Sequence, residues 1–259
     1  MKKNIVLSFD DGRKDFYEYA LPILKKYNLV ATLNVTTGYV DGNFKPNWET
    51  SYGAVNKEEI KEIMDNDIEI AYHGDMHITE YNDFNNSISK MKEWNFYKGE
   101  MGFAVPGSYL EEIDIEEFKK FLIANNVIYM RVGNSKNCLS FISRVFRKLY
   151  NVTNISIFYN LYNRNNAFNK QIDNYYLPSV VVFEKDNYKT LVNFIKKVRR
   201  KNIIFMLHGI LPSNHSNYGK DVYAWDIDNF ENLCKNLRAL IDNNKIDVIT
   251  NIELVRRNK

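Results

Sequence analysis

Three short fragments carry residue types that handle protons and metal ions: Ser8-Phe9-Asp10-Asp11-Gly12, His73-Gly74-Asp75-Met76-His77 and Leu207-His208-Gly209. The chain has only four histidines, and three of them fall here. His73 and His77 are four residues apart, the spacing that brings two imidazoles together on a helical turn. Two neutral imidazoles and one carboxylate make a three-ligand zinc site with a fourth position open to water. Asp11 can supply that carboxylate. Neighbours on a strand point to opposite faces, so Asp10 and Asp11 serve one pocket only if the chain leaves strand geometry there. Gly12 permits that turn. One carboxylate on a metal and one free beside it is what a metal-assisted hydrolase requires: the ion polarises a carbonyl and acidifies a water, and the free carboxylate takes the proton. Taken singly, each fragment also has a plain reading, a solvent-facing histidine pair on a helix or solvated acids in an Asp-Asp-Gly turn.

Each fragment follows a run that reads as a strand: Ile5 to Phe9, Ile68 to Tyr72 and Ile203 to Leu207. Catalytic groups of parallel β/α folds gather at the carboxyl ends of strands, so three segments arriving there outweigh any one. Further strands are expected at Val30–Val35, Val127–Val132, Val180–Phe183 and Ile246–Ile249. Between them lie helical patterns: Asp15–Tyr27 with a kink at Pro22, an Asn56-capped helix ending near Asn66, Ser87–Tyr97, Ile113–Asn125, Tyr188–Arg199, Asp226–Asn243 and Ile252–Arg257. Gly38 to Trp48 reads as a loop. Alternating strand and helix argue for parallel strands with covering helices in a single domain, 1–259. The exception is a variable insertion at about 134–170. It contains the basic amphipathic run Phe141 to Tyr150, which is either a surface helix with one core face or a lid or membrane-surface element, a weak peripheral contact at most.

At 259 residues, with 45% hydrophobic and 26% charged, the chain can bury a sizeable core. Its 35 basic and 32 acidic residues leave a net charge of +3, too small to point to nucleic acid. Cys138 and Cys234 stand far apart and form neither a disulfide framework nor a cysteine zinc motif. The short apolar run after Met1 lacks the length of a signal peptide, and no window approaches the roughly 20 apolar residues of a membrane span. A cytoplasmic location is the expectation.

The motifs resemble those of the polysaccharide deacetylases, the NodB-homology group or carbohydrate esterase family 4. Ser8 to Gly12 is similar to the family's [ST]-F-D-D-G motif, His73 to His77 to its H-x-x-x-H motif with Gly74 where Ser or Thr is common, and Leu207-His208 to its late L-x-H or L-H motif. Phe103-Ala104-Val105-Pro106-Gly107 resembles the middle motif. The resemblance implies a distorted barrel of about seven β/α units, (β/α)7, that hydrolyses an N-acetyl or O-acetyl group on a sugar. It implies one divalent ion, zinc first with cobalt, manganese or nickel as alternatives, on Asp11, His73 and His77. Asp10 would be the general base, His208 the acid that protonates the leaving amine, and the Gly107 backbone N–H an oxyanion donor.

The chain departs from the pattern at Ala104, where many members carry an arginine paired with the base, and again around Leu177-Pro178-Ser179. The carboxylate that would orient His208 is not evident; Asp173 is one candidate. His215 reads as surface. Tyr39, Trp48, Tyr109 and Trp225 read as packing before sugar platforms. The expected substrate is an acetylated saccharide: a polysaccharide, a glycan precursor or a lipid-linked sugar. The competing readings are a catalytically silent carbohydrate-binding relative and a metal hydrolase of a non-sugar C–N bond.

Overall fold

The structure, a computed structural model, describes residues 2–46, 53–108, 114–134, 141–169 and 173–258. The chain runs through β1 (Lys3–Phe9), a π-helical turn (Phe16–Ala20) leading into α1 (Leu21–Lys26), β2 (Thr32–Val35), α2 (Thr37–Val40), α3 (Lys57–Asp65), β3 (Glu69–Tyr72) and α4 (Tyr81–Glu93). Next come β4 (Met101–Ala104), α5 (Ile115–Ala124), β5 (Val127–Arg131), α6 (Phe141–Thr153), α7 (Ser156–Asn163) and β6 (Ala167–Phe168). The last third holds β7 (Val180–Val181), α8 (Tyr188–Lys197), β8 (Asn202–Leu207), β9 (Ile210–Leu211), β10 (Trp225–Asp226), α9 (Ile227–Asp242), β11 (Ile246–Val248) and α10 (Asn251–Asn258).

β1 is buried from Asn4 to Phe9, which is why it reads as an apolar run without a solvent face. It pairs in parallel with β2 on one side and β8 on the other, and the parallel order continues through β3 and β4 to β5. β7 pairs in parallel with β8. Just before β7, Leu177 bridges Arg131 at the end of β5, with Val132 N–H donating to Leu177 O and Leu177 N–H to Met130 O. Seven strands, β1 to β5 with β7 and β8, thus curl into the distorted (β/α)7 barrel that the resemblance implied. Around Leu177 to Ser179, where the second family arginine is absent, the chain serves this closure: Ser179 Oγ donates to Val132 O at 2.7 Å.

Strand alternation sorts the core. Val6, Ala71, Tyr129, Leu177 and Ile204 share one apolar cluster, while Ile5, Leu7 and Phe9 belong to the larger cluster beneath the helices. The smaller cluster marks the barrel interior. Stepping by two along each strand puts Ser8 and Asp10, His73, Arg131, and Met206 on that interior face, nearer its carboxyl end.

Local chemistry fixes several elements. Asn56 and Glu59 form a reciprocal capping box at the start of α3, and Asp226 caps α9 by accepting from Asn229 N–H. The expected helix over Asp15–Tyr27 is divided: Pro22 lacks the N–H an α-helix would use, and the preceding turn widens to a π-turn. The expected loop after Gly38 begins with α2, and α4 begins at Tyr81 instead of Ser87. No helix among the described residues is long and apolar enough to cross a membrane.

Candidate active site

The chain leaves β1 in an unusual way. Asp11 has φ 77° and Gly12 φ 71°, two consecutive left-handed residues. Glycine adopts that conformation freely, and an aspartate tolerates it better than most residues. The expected departure from strand geometry is therefore present, and it starts at Asp11 itself. Asp10 keeps the interior direction of the strand, Asp11 swings to the same side, and both are buried in one cleft of about 240 Å³ with His73, His77 and His208.

His73 and His77 do not sit on a helical turn. They bracket a loop after β3, with Gly74 at φ 78° and His77 at φ 56°. Asp83, on α4, holds this loop by accepting from the backbone N–H groups of Asp75 (2.9 Å) and Met76 (2.6 Å). A Cβ at Gly74 would lie 2.4 Å from Asp83 Oδ2, so the Ser or Thr of the family pattern has no room here. The i,i+4 spacing brings the rings together by another route: their centroids are 4.8 Å apart, edge to face.

Asp11 Oδ1 lies 3.5 Å from His73 Nε2 and 3.5 Å from His77 Nε2. The donor atoms of all three residues fall within 4.8 Å of one another. His73 Nδ1 lies 2.9 Å from Ala104 O. A carbonyl only accepts, so Nδ1 carries a proton and Nε2 is turned toward Asp11; against its burial, Asp10 and Asp11 by themselves raise the His73 pKa. Asp11 Oδ1 is buried without a hydrogen-bond donor among the described residues. An orphaned buried carboxylate oxygen facing two imidazole nitrogens fits a divalent ion, and nitrogen and carboxylate donors suit zinc and its first-row neighbours.

Asp10 is held on its other oxygen. Oδ1 accepts from Arg131, whose side chain is fully buried, and from Asn34 Nδ2 at 2.7 Å. Oδ2 faces the cleft, 3.9 Å from the Nε2 atoms of both His73 and His208. Burial would raise the Asp10 carboxyl, but Arg131, His73 and His208 outweigh it and hold it below the usual carboxylate range. Asp11 is held low likewise, against its burial, by His73 and then His208 and His77. Burial and the neighbouring His73 depress His77 to about 4, leaving it neutral near pH 7, as a ligand must be.

Arg131 was not evident from motif order. It stands opposite Ala104 in the β4–β5 ladder, so the guanidinium missing from the middle motif comes from the adjacent strand. A charge inside the apolar run Val127 to Val132 was the available signal.

His208 follows β8, packs its ring on Tyr223 at 4.7 Å between centroids, and is pushed down by burial against the pull of Asp11 and Asp10. Its Nδ1 has no hydrogen-bond partner among the described residues. Asp173 does not orient it: that carboxylate pairs with Lys119 at 2.8 Å on the surface. Gly107 lines the cleft with φ 64°. Tyr39 and Trp225 are buried, and Trp225 Nε1 donates to Asp186 O, so both are packing; Trp48 and Tyr109 lie outside the described residues. His215 accepts from Asn217 N–H within its own turn. Arg147 and Tyr223, which the sequence reading did not assign to the site, also line the cleft.

Residues 1–98 match the family model described as polysaccharide deacetylase. No curated protein matches at the sequence level. Among solved structures the chain is similar to the Xyl-CE4 domain of a multidomain xylanase from the Trinervitermes trinervoides hindgut metagenome (15% identity, 99% of this chain and 91% of that one, TM-score 0.51). It is also similar to the peptidoglycan deacetylase PdaC of Bacillus subtilis (13%, 99% and 91%, 0.52). A third is a CE4 family pseudoenzyme from Bacillus anthracis (13%, 98% and 66%, 0.52). At these identities the neighbours show the fold. The family match over residues 1–98 and the motifs add a likeness to polysaccharide deacetylases in the first part of the chain.

Proposed function

We propose that the protein removes an acetyl group, N-linked in the first instance, from an acetylated saccharide by metal-dependent hydrolysis. The observation that carries this reading is the convergence, in one cleft, of a three-donor set with two proton-transfer groups outside it. Asp11, His73 and His77 would hold the ion, zinc by preference. When bound there, it supplies polarisation of the acetyl carbonyl and acidification of a water. Asp10 Oδ2, the oxygen not engaged by Arg131 and Asn34, accepts a proton from the attacking water. The Gly107 N–H donates to the oxygen that becomes negative as the carbonyl carbon turns tetrahedral. His208, protonated for this step, gives its proton to the sugar nitrogen as the C–N bond breaks, releasing acetate and the free amine.

A silent relative is the weaker reading. Ala104 and Ser179, where family arginines are missing, motivate it, but Arg131 stands beside Asp10.

The test is acetate release from a panel of acetylated amino sugars and oligosaccharides, together with elemental analysis. Asp10→Asn and His208→Ala are each expected to lose roughly 10²–10⁴-fold in turnover while retaining metal. His77→Ala is expected to lose the metal and stay folded, since it sits on a loop. Near-wild-type acetate release in either of the first two variants, or undiminished metal in the third, would overturn the assignment.

A further inference from the structure

α6 presents its faces in an unusual order. At 100° per residue, Phe141, Val145, Leu149 and Val152 fall on one stripe with Ile142 at its border, and that stripe points to solvent. Phe141 is 81% exposed and Val152 84%. The opposite side faces inward, against α7 and the segment after β7: Ser143 and Tyr150 are buried, Phe146 stacks on Phe158 of α7, and Arg147 lies 4.4 Å over the Phe183 ring. Surface helices ordinarily turn the apolar stripe inward. Beyond α6 the apolar surface continues at Ile155 and Ile157, 50% and 58% exposed. Seven of the twelve exposed large hydrophobic side chains among the described residues fall between 141 and 157.

Charge selects the occupant. Arg144 and Lys148 flank the stripe and are exposed. From 141 to 169 the chain has four basic residues, Arg144, Arg147, Lys148 and Arg164, and no acidic one, an excess larger than the +3 of the whole chain. A second copy would bring like charges face to face. An anionic bilayer satisfies both features, with acyl chains for the stripe and headgroups for the cations.

We propose that the outer face of α6, continued by the start of α7, docks on an anionic lipid bilayer. Arg147, on the inner side of the same helix, lines the cleft, so docking brings the cleft to within a helix diameter, roughly 10 Å, of the lipid surface. The contact is peripheral and reversible, and it is independent of the acetyl chemistry.

Cosedimentation of the full chain with phosphatidylcholine vesicles containing about one third phosphatidylglycerol tests it, with phosphatidylcholine alone for comparison. Binding to the anionic vesicles at low salt, weakening as salt rises, is expected. The triple variant Val145→Ser, Leu149→Ser, Val152→Ser is expected to lose it. Arg144→Ser with Lys148→Ser is expected to weaken it about fivefold per charge removed and to flatten the salt dependence. All these positions are exposed, so acetate release from a soluble saccharide is expected to stay unchanged. The proposal fails if the wild-type chain ignores anionic vesicles at low salt, or if both variants bind as it does. A stripe-dependent dimer in lipid-free ultracentrifugation would instead give the face to a second copy and overturn it.

Discussion

The general-base role proposed for Asp10 needs one oxygen held and one free, and its carboxylate is divided in that way. Arg131 and Asn34 engage Oδ1, leaving Oδ2 toward the cleft. If Asp10 is the base as proposed, Arg131 is a positioning residue that acts through it. Arg131→Met keeps the length of the side chain and removes the charge. Because Arg131 holds the Asp10 carboxyl low, its loss lets that pKa rise, and the acidic limb of the pH–rate profile is expected to move to higher pH with kcat falling roughly 10²-fold. Breaking a buried pair also costs stability, about 3–5 kcal/mol. Adding Ala104→Arg, across the ladder, is expected to return the limb toward its original position. A pH profile that does not move would make Arg131 structural only. The residues proposed as metal donors and acid–base groups were legible as candidates because short contiguous motifs carry them; Arg131 was not, because strand pairing between distant segments places it beside Asp10.

At the scale of elements, Asp186 ties the insertion to the barrel. Its carboxylate accepts from Phe183 N–H at 2.9 Å and bonds Tyr150 of α6. Burial pushes it up to about 7, against the lowering pull of the Phe183 N–H, Tyr150 and Arg147. In the unfolded chain it titrates near 4. The folded state therefore holds more protons than the unfolded state between those values, and this group's contribution to stability falls as pH rises from about 4 to about 7. Asp186→Asn removes that loss. Its melting temperature is expected to gain on the wild type between about pH 5 and about pH 8, and parallel curves would refute the assignment. The same segment shows where periodicity stops being informative. The 3.6-residue pattern of α6 gives a two-faced helix, but not which face turns inward. The H-x-x-x-H spacing likewise suits a helical turn, yet Gly74 and the Asp83 carboxylate favour a loop.

Across the whole molecule the question is whether 134–170 forms a separate lobe or part of one folding unit. Three of its residues, Tyr150, Tyr159 and Ala167, belong to the main apolar cluster, and β6 is hydrogen-bonded antiparallel to β8, a strand of the barrel. Tyr159 is the keystone of this packing: its ring meets Phe194 of α8 at 5.9 Å and Tyr150 at 5.1 Å, both edge to face. We propose that the chain unfolds as one cooperative unit. Tyr159→Ala deletes a buried aromatic ring and is expected to cost about 3–5 kcal/mol, lowering the midpoint of a single transition seen alike by far-ultraviolet and near-ultraviolet circular dichroism. The Tyr159 hydroxyl is buried without a hydrogen-bond partner among the described residues. Tyr159→Phe removes only that desolvated group, so its midpoint is expected to match or exceed the wild type. A separate low-temperature transition moved by Tyr159→Ala, with the main one unchanged, would show the insertion to be an independent lobe.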